Sequence, residues 1–159
     1  MEADTDFDQA PSPLDDLLRD LCAEIGLVDV QSVIENRMLE VEGFECSLEM
    51  PESDPGTLYL LFNFGIATAG RTLRLFKAML EANLTTYAQD QAQLGIDADS
   101  GVTLLIVRVS AADEIDATWL ADTLSHYAQH GLYWRENIFK AEDEMFEGLA
   151  QGNYEWIRA

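Results

Sequence analysis

Two apolar runs, TLYLLFNF from Thr57 to Phe64 and VTLLIVRV from Val102 to Val109, constrain this chain more than any other feature. Each has the length of a strand and is apolar at successive rather than alternate positions. Such a run reads as an interior strand covered on both faces. The chain therefore folds around a sheet with these two segments inside it.

The flanking segments read differently. Leu39 and Val41 alternate with Glu40 and Glu42, and Phe44, Cys46, Leu48 and Met50 alternate with Glu45, Ser47 and Glu49. Glu42-Gly43 between them predicts a tight hairpin. Leu94, Ile96 and Ala98 alternate up to the turn DADSG. Three segments instead follow the helical period. Ser12 is a cap followed by Pro13 and by Asp15 where a capping-box acid belongs, and Leu14, Leu17, Leu18, Leu21, Cys22 and Ile25 form one stripe that ends at Gly26. A second helix begins at Thr68 or Ala69, with Leu73, Phe76 and Leu80 on one stripe and Leu75, Met79 and Ala82 on an adjacent one. So wide an apolar arc has more than one surface to bury. Asp116 caps a last helix whose stripe is Leu120, Leu124, Tyr127, Trp134 and Ile138, with Gly131 its weak point. Residues 27 to 37 have no clear assignment. The order is αβββαββα, an α+β pattern with a five-stranded, mostly antiparallel, twisted sheet and three helices.

At 159 residues this is one domain. Residues 1–11 read as an acidic tail, 12–139 as the domain, and 140–159 as an acidic extension. Thirty acidic against nine basic residues leave a net charge of −21, and residues 1 to 56 alone carry 16 acids against Arg19 and Arg37. Nucleic acid is excluded as a partner, because phosphate contacts come from Lys and Arg. An anionic membrane surface is disfavoured by the same sign. No apolar run reaches the roughly 18 residues of a membrane span, and MEADTDFDQA is acidic where a signal peptide is basic, so a cytoplasmic protein with no membrane insertion is expected. Cys22 and Cys46 show no CxxC spacing and read as buried thiols.

Three constellations invite a catalytic or ligand reading. GIATAGRT, residues 65 to 72, follows a strand and opens a helix as a phosphate loop does, but Arg71 stands at the Lys position and no later strand ends in a magnesium-holding Asp. Asp122, His126 and His130 share a helix face, without the further ligand or general base that a metal centre uses. Arg71, Arg74 and Lys77 spread over a broad arc and read as a solvated or ion-pairing face. No nucleophile motif is present. A protein without catalytic, cofactor-binding or metal-ligating residues is expected, and no cofactor.

Three segments carry a family likeness. LRLFKAMLEANL, residues 73 to 84, is similar to a helix closing on Leu-Leu-x-Ala-Asn, here Met79, Leu80, Glu81, Ala82 and Asn83. GIDADSGVTLLIVRV, residues 95 to 109, is a hairpin with a short acidic-glycine turn, and LADTLSHYAQHGLYWRENI, residues 120 to 138, is a closing amphipathic helix with an aromatic-Trp-Arg stretch. Together with small size and strong acidity, they resemble the class I type III secretion chaperones, the Tir-chaperone (CesT-like) family of Gram-negative bacteria. The resemblance covers about residues 12 to 139. It implies a cytoplasmic, non-catalytic homodimer that binds an extended N-terminal segment of a secreted effector and keeps it export-competent. It places the dimer interface on residues 69 to 84 and 92 to 98, with Leu75, Met79, Leu94 and Ile96 as candidates, and Leu75 and Met79 form a stripe that one core need not absorb. It places the effector on grooves of the first helix and first strands, with Leu39, Val41, Leu48 and Met50 as candidates and edge-strand pairing as the main-chain contribution. A regulatory, anti-activator type of protein-binding module on the same fold would show the same patterns.

Overall fold

The computed structural model describes residues 12–67, 72–110 and 114–139. The chain opens with α1 (Pro13–Ile25), capped as its sequence predicts: the Ser12 hydroxyl accepts from the Asp15 amide, and the Asp15 carboxylate accepts from the Ser12 amide. Gly26 closes it in the left-handed region (φ 73°), where the missing Cβ removes the steric penalty. The unassigned stretch holds a fourth helix, α2 (Val30–Asn36), capped by Asp29 and buried at Val33. Seven residues with one buried apolar side chain carry too little periodicity to show in sequence.

The strands are β1 (Met38–Val41), β2 (Phe44–Glu49), β3 (Leu58–Ile66), β4 (Ala92–Ile96) and β5 (Val102–Val109). They form one sheet of order β1-β2-β3-β5-β4 in which every pair is antiparallel. β1 and β2 join through Glu42 and Gly43, both at positive φ (49° and 85°), which suits the turn to the right-handed twist of the strands. α3 (Thr72–Thr85) follows β3, and α4 (Ala117–Trp134) follows β5 from an Asp116 cap and runs into one π-helical turn, Arg135–Phe139. The expected helix start at Thr68 or Ala69, the loop through Arg71 and the segments 1–11 and 140–159 lie outside the described residues.

The core lies on one side of the sheet. Leu58, Leu60, Phe62 and Phe64 of β3 and Thr103, Leu105 and Val107 of β5 point into it, against Leu14, Leu18, Leu21 and Cys22 of α1 and Leu120, Leu124, Tyr127, Ala128 and Trp134 of α4. Both cysteines are buried free thiols, and burial pushes the Cys46 thiol up to about 12, which makes it inert at neutral pH. Gly131 is a packing requirement rather than a weak point. A Cβ there would lie 2.7 Å from Phe64 and 2.9 Å from Phe44, so α4 approaches the sheet only because that residue has no side chain.

Among the described residues, the double cover expected for β3 and β5 is absent. Both strands are interior, yet Tyr59, Leu61, Asn63, Leu104 and Ile106 face away from the core and stay partly exposed.

Candidate functional site

That second face is organised by strand register. Met38, Ser47, Leu61, Ile106 and Gln93 form one row across all five strands. Beside it on one flank Glu40 sits directly opposite Glu45, and the Asn63 amide lies 3.5 Å from the Glu45 carboxylate. On the other flank run Glu49, Tyr59 and Arg108. The Tyr59 hydroxyl donates to Asp54 (2.8 Å), which also accepts from Thr57 and meets Arg108 at 3.5 Å. Hydrogen bonds from Tyr59 and Thr57, with the Arg108 charge, hold the Asp54 carboxyl below its ordinary value. The result is a half-exposed apolar strip of Met38, Leu61, Leu104 and Ile106 between polar margins.

The two edges of the sheet differ. In β4 the Gln91 carbonyl accepts from Arg108 and the Asp97 amide donates to Val102, so odd-numbered residues face β5 and Ala92, Leu94 and Ile96 turn their backbone groups outward. Asn83 of α3 covers the middle of this edge: its Oδ1 accepts from the Leu94 amide (2.6 Å) and its Nδ2 donates to the Leu94 carbonyl (3.1 Å). In β1 the Arg37 carbonyl accepts from the Leu48 amide, so residues 37, 39 and 41 face β2, and the backbone groups of Met38 and Glu40 point out along the edge. Among the described residues no partner takes them. An open edge of this kind is a template for another strand.

The residues expected to bind a client fall in two places. Leu39 and Leu48 are buried at 5% and 0% exposure, and Val41 and Met50 are half-buried against the same core. Leu48 and Met50 do line a hollow of about 520 Å³ with Pro13, Leu14 and Pro51, but Leu39 and Val41 stay out of it. The alternation was legible; which of the two faces of β1 and β2 would be covered was not, because both the helices and a client bury apolar side chains.

The expected dimer residues fare similarly. Leu75, Met79 and Leu94 are buried at 2%, 6% and 5%, while Ile96 is partly exposed. Met79, Leu94 and Ile96 meet in a hollow of about 300 Å³ whose other walls are Phe76, Leu80 and Asn83. Leu75 belongs to the core and does not reach it. The surplus stripe of α3 is the other one: Leu73, Phe76, Leu80 and Leu84 are 81%, 41%, 71% and 74% exposed. The likeness to Leu-Leu-x-Ala-Asn contained Asn83, and its role in covering Leu94 of β4 is visible only in the fold.

The His126 and His130 rings lie 4.7 Å apart and tilted, and the Tyr87 hydroxyl, which accepts from the Trp134 indole (3.1 Å), meets His130 Nδ1 at 3.0 Å and so ties that ring into a partly buried network. Among the described residues no group of three His, Cys, Asp or Glu side chains is placed to hold a metal ion. Arg74 and Lys77 are exposed on α3, and Arg71 lies outside the described residues. Among the described residues, no helix is long and apolar enough to cross a membrane.

No family model matches the sequence, and no curated protein matches it. Solved structures do. A chain of the ExsC-ExsE complex aligns with a TM-score of 0.63 at 17% identity over 83% of this chain and 98% of that one. A chain of the HopA1-SchA chaperone-effector complex aligns at 0.55 and 15% identity over 77% and 93%. A third, from the heterodimeric ExoU-SpcU complex of the type III secretion system of Pseudomonas aeruginosa, aligns at 0.52 and 19% over 77% and 97%. The chain shares its fold with these three solved structures. At such identities the likeness lives in the backbone. Among the described residues this fold is carried by five antiparallel strands and four α-helices rather than the expected three.

Proposed function

We propose that this chain is a non-catalytic type III secretion chaperone, which binds an extended segment of a secreted effector and keeps it export-competent without nucleotide. The observation that carries the reading is the second sheet face: two interior strands present a half-exposed apolar strip beside an open β1 edge. Contiguous exposed apolar surface of this kind marks an interaction site. An extended client can pair its main chain with Met38 and Glu40 and lay alternate side chains on the strip, and neither contact requires the client to fold. The net charge of −21 keeps a protein with such a surface soluble.

The functional protein in this reading is a homodimer joined through α3. Leu73, Phe76, Leu80 and Leu84 recur at three and four residues and leave a continuous exposed stripe, which a two-fold partner covers with its own copy.

The test is co-expression with a candidate effector, followed by purification and hydrogen exchange on the bound client. Leu61→Glu or Ile106→Glu reduces client binding at least tenfold, about 1.4 kcal/mol, with unchanged circular dichroism. Normal binding by both variants, or a client that proves to be a compact folded domain, overturns the reading. A partner that is retained in the cell rather than exported points instead to a regulatory module on the same fold.

A further inference from the structure

The acidic pair beside the apolar strip sits in a register that says what kind of segment fits there. Glu40 and Glu45 lie directly opposite one another on neighbouring strands, both exposed, and among the described residues neither has an ion-pair partner. Like charges so placed repel and weaken the sheet. Arg135 lines the hollow at that end of the sheet together with both carboxylates, but its guanidinium donates to the Gly43 carbonyl (3.1 Å) and lies 4.0 Å from the centre of the Phe44 ring. The Asn63 amide, at 3.5 Å, supplies one weak neutral contact to Glu45. Among the described residues the pair therefore faces solvent with no direct ion pair, two carboxylates against the single guanidinium of Arg135 in the same hollow, and Glu40 lies on the open edge of the sheet.

Register converts this into a spacing. The exposed backbone groups of β1 belong to Met38 and Glu40, whose side chains share the open face. A strand added to that edge places two of its own side chains on this face, one opposite Met38 and one opposite Glu40, two residues apart. The first extends the row Met38, Ser47, Leu61 and Ile106, apolar at every position but Ser47. The second extends the row headed by Glu40 and Glu45. We infer that the segment bound at β1 carries an apolar residue and a Lys or Arg separated by one residue, with the cation set against the Glu40–Glu45 pair. This rests on the proposed client-binding role and specifies the chemistry of the client. Opposite charge across the new strand pair relieves the repulsion of the free chain, so the same two carboxylates destabilise the protein alone and stabilise its complex.

The experiment uses the full chain and two synthetic peptides of identical composition, each about twelve residues of alternating Thr and Val with one Leu and one Lys. In one the Lys stands two residues from the Leu; in the other it stands one residue away and so points to the opposite face. Equal net charge removes the general attraction of any cation to this acidic protein. Fluorescence anisotropy is expected to show at least fivefold tighter binding of the first peptide in low salt, a gap that narrows in 0.5 M salt and closes in Glu40→Gln. Amide exchange at Met38 and Glu40 slows in the complex. The thermal midpoint of free Glu40→Gln is expected to equal or exceed that of the parent chain, which separates lost recognition from lost fold. Equal affinity of the two peptides, with protection at Met38 and Glu40, overturns the charge assignment and leaves the client surface standing. Binding of neither peptide, with no protection at β1, overturns both.

Discussion

Met79 and Leu80 are neighbours on α3 with opposite surroundings, 6% and 71% exposed, so the same substitution at the two positions separates a protomer core from a subunit interface. Full burial of a Leu side chain is worth about 1.5–3 kcal/mol. With 71% of Leu80 still exposed in the protomer, its burial in a dimer contributes about 1–2 kcal/mol per copy, and two-fold symmetry doubles this to about 2–4. Leu80→Asp removes that term and also sets two carboxylates face to face. The dimer dissociation constant then rises by roughly 30- to 1000-fold, since each 1.4 kcal/mol is a factor of ten. Light scattering coupled to size exclusion is the assay. The parent chain is expected at twice 17.8 kDa, and Leu80→Asp at one protomer mass with its circular dichroism intact. Met79→Asp is expected instead to lower the thermal midpoint sharply, because an unpaired charge in the core costs several kcal/mol. The reasoning fails if the parent is monomeric at micromolar concentration, or if Leu80→Asp leaves the dimer unchanged.

Other outcomes follow from named contacts. Gly131→Ala gains about 1 kcal/mol of helix propensity but drives a Cβ into Phe64 and Phe44, and overpacking of about 1–3 kcal/mol makes the net effect destabilising; a chemical melt of higher midpoint than the parent refutes this. Asn83→Leu strips the Leu94 amide and carbonyl of their partner, and is expected to cost about 1–3 kcal/mol in urea unfolding and to speed amide exchange at Leu94. Burial, reinforced by the His126 charge and only partly opposed by Asp90, holds His130 below its ordinary value of 6.5. The folded chain therefore binds fewer protons than the unfolded one as pH falls under 6.5, and stability drops there. Urea midpoints at pH 7.5 and 5.5 should differ less in His130→Gln than in the parent. The lowered carboxyls of Asp15, Asp54 and Asp97 act in a separate window below their ordinary 3.8.

What the amino-acid sequence determined by itself was whatever rests on local rules. The Ser12 capping box, the Glu42-Gly43 turn, the Asp116 cap and the two central strands depend on residues a few positions apart, and each stands where the pattern put it. The short α2 was not legible, because one buried Val33 makes no period. Nor was the allocation of apolar faces. Leu75 and Leu80 are equally apolar, and so are Leu48 and Leu61, yet one of each pair is in the core and the other is not. Hydrophobicity says that a side chain will be covered and is silent on what covers it, since burial is non-directional and scales only with area. Only the tertiary structure decided that α1 and α4 take one face of the sheet, that Asn83 covers Leu94 in the middle of β4 while β1 has no such cover among the described residues, and that the surplus apolar surface includes both the outer stripe of α3 and the strip from Met38 to Ile106. These depend on contacts between segments far apart in the chain, where register and helix rotation place each atom and no local pattern records them.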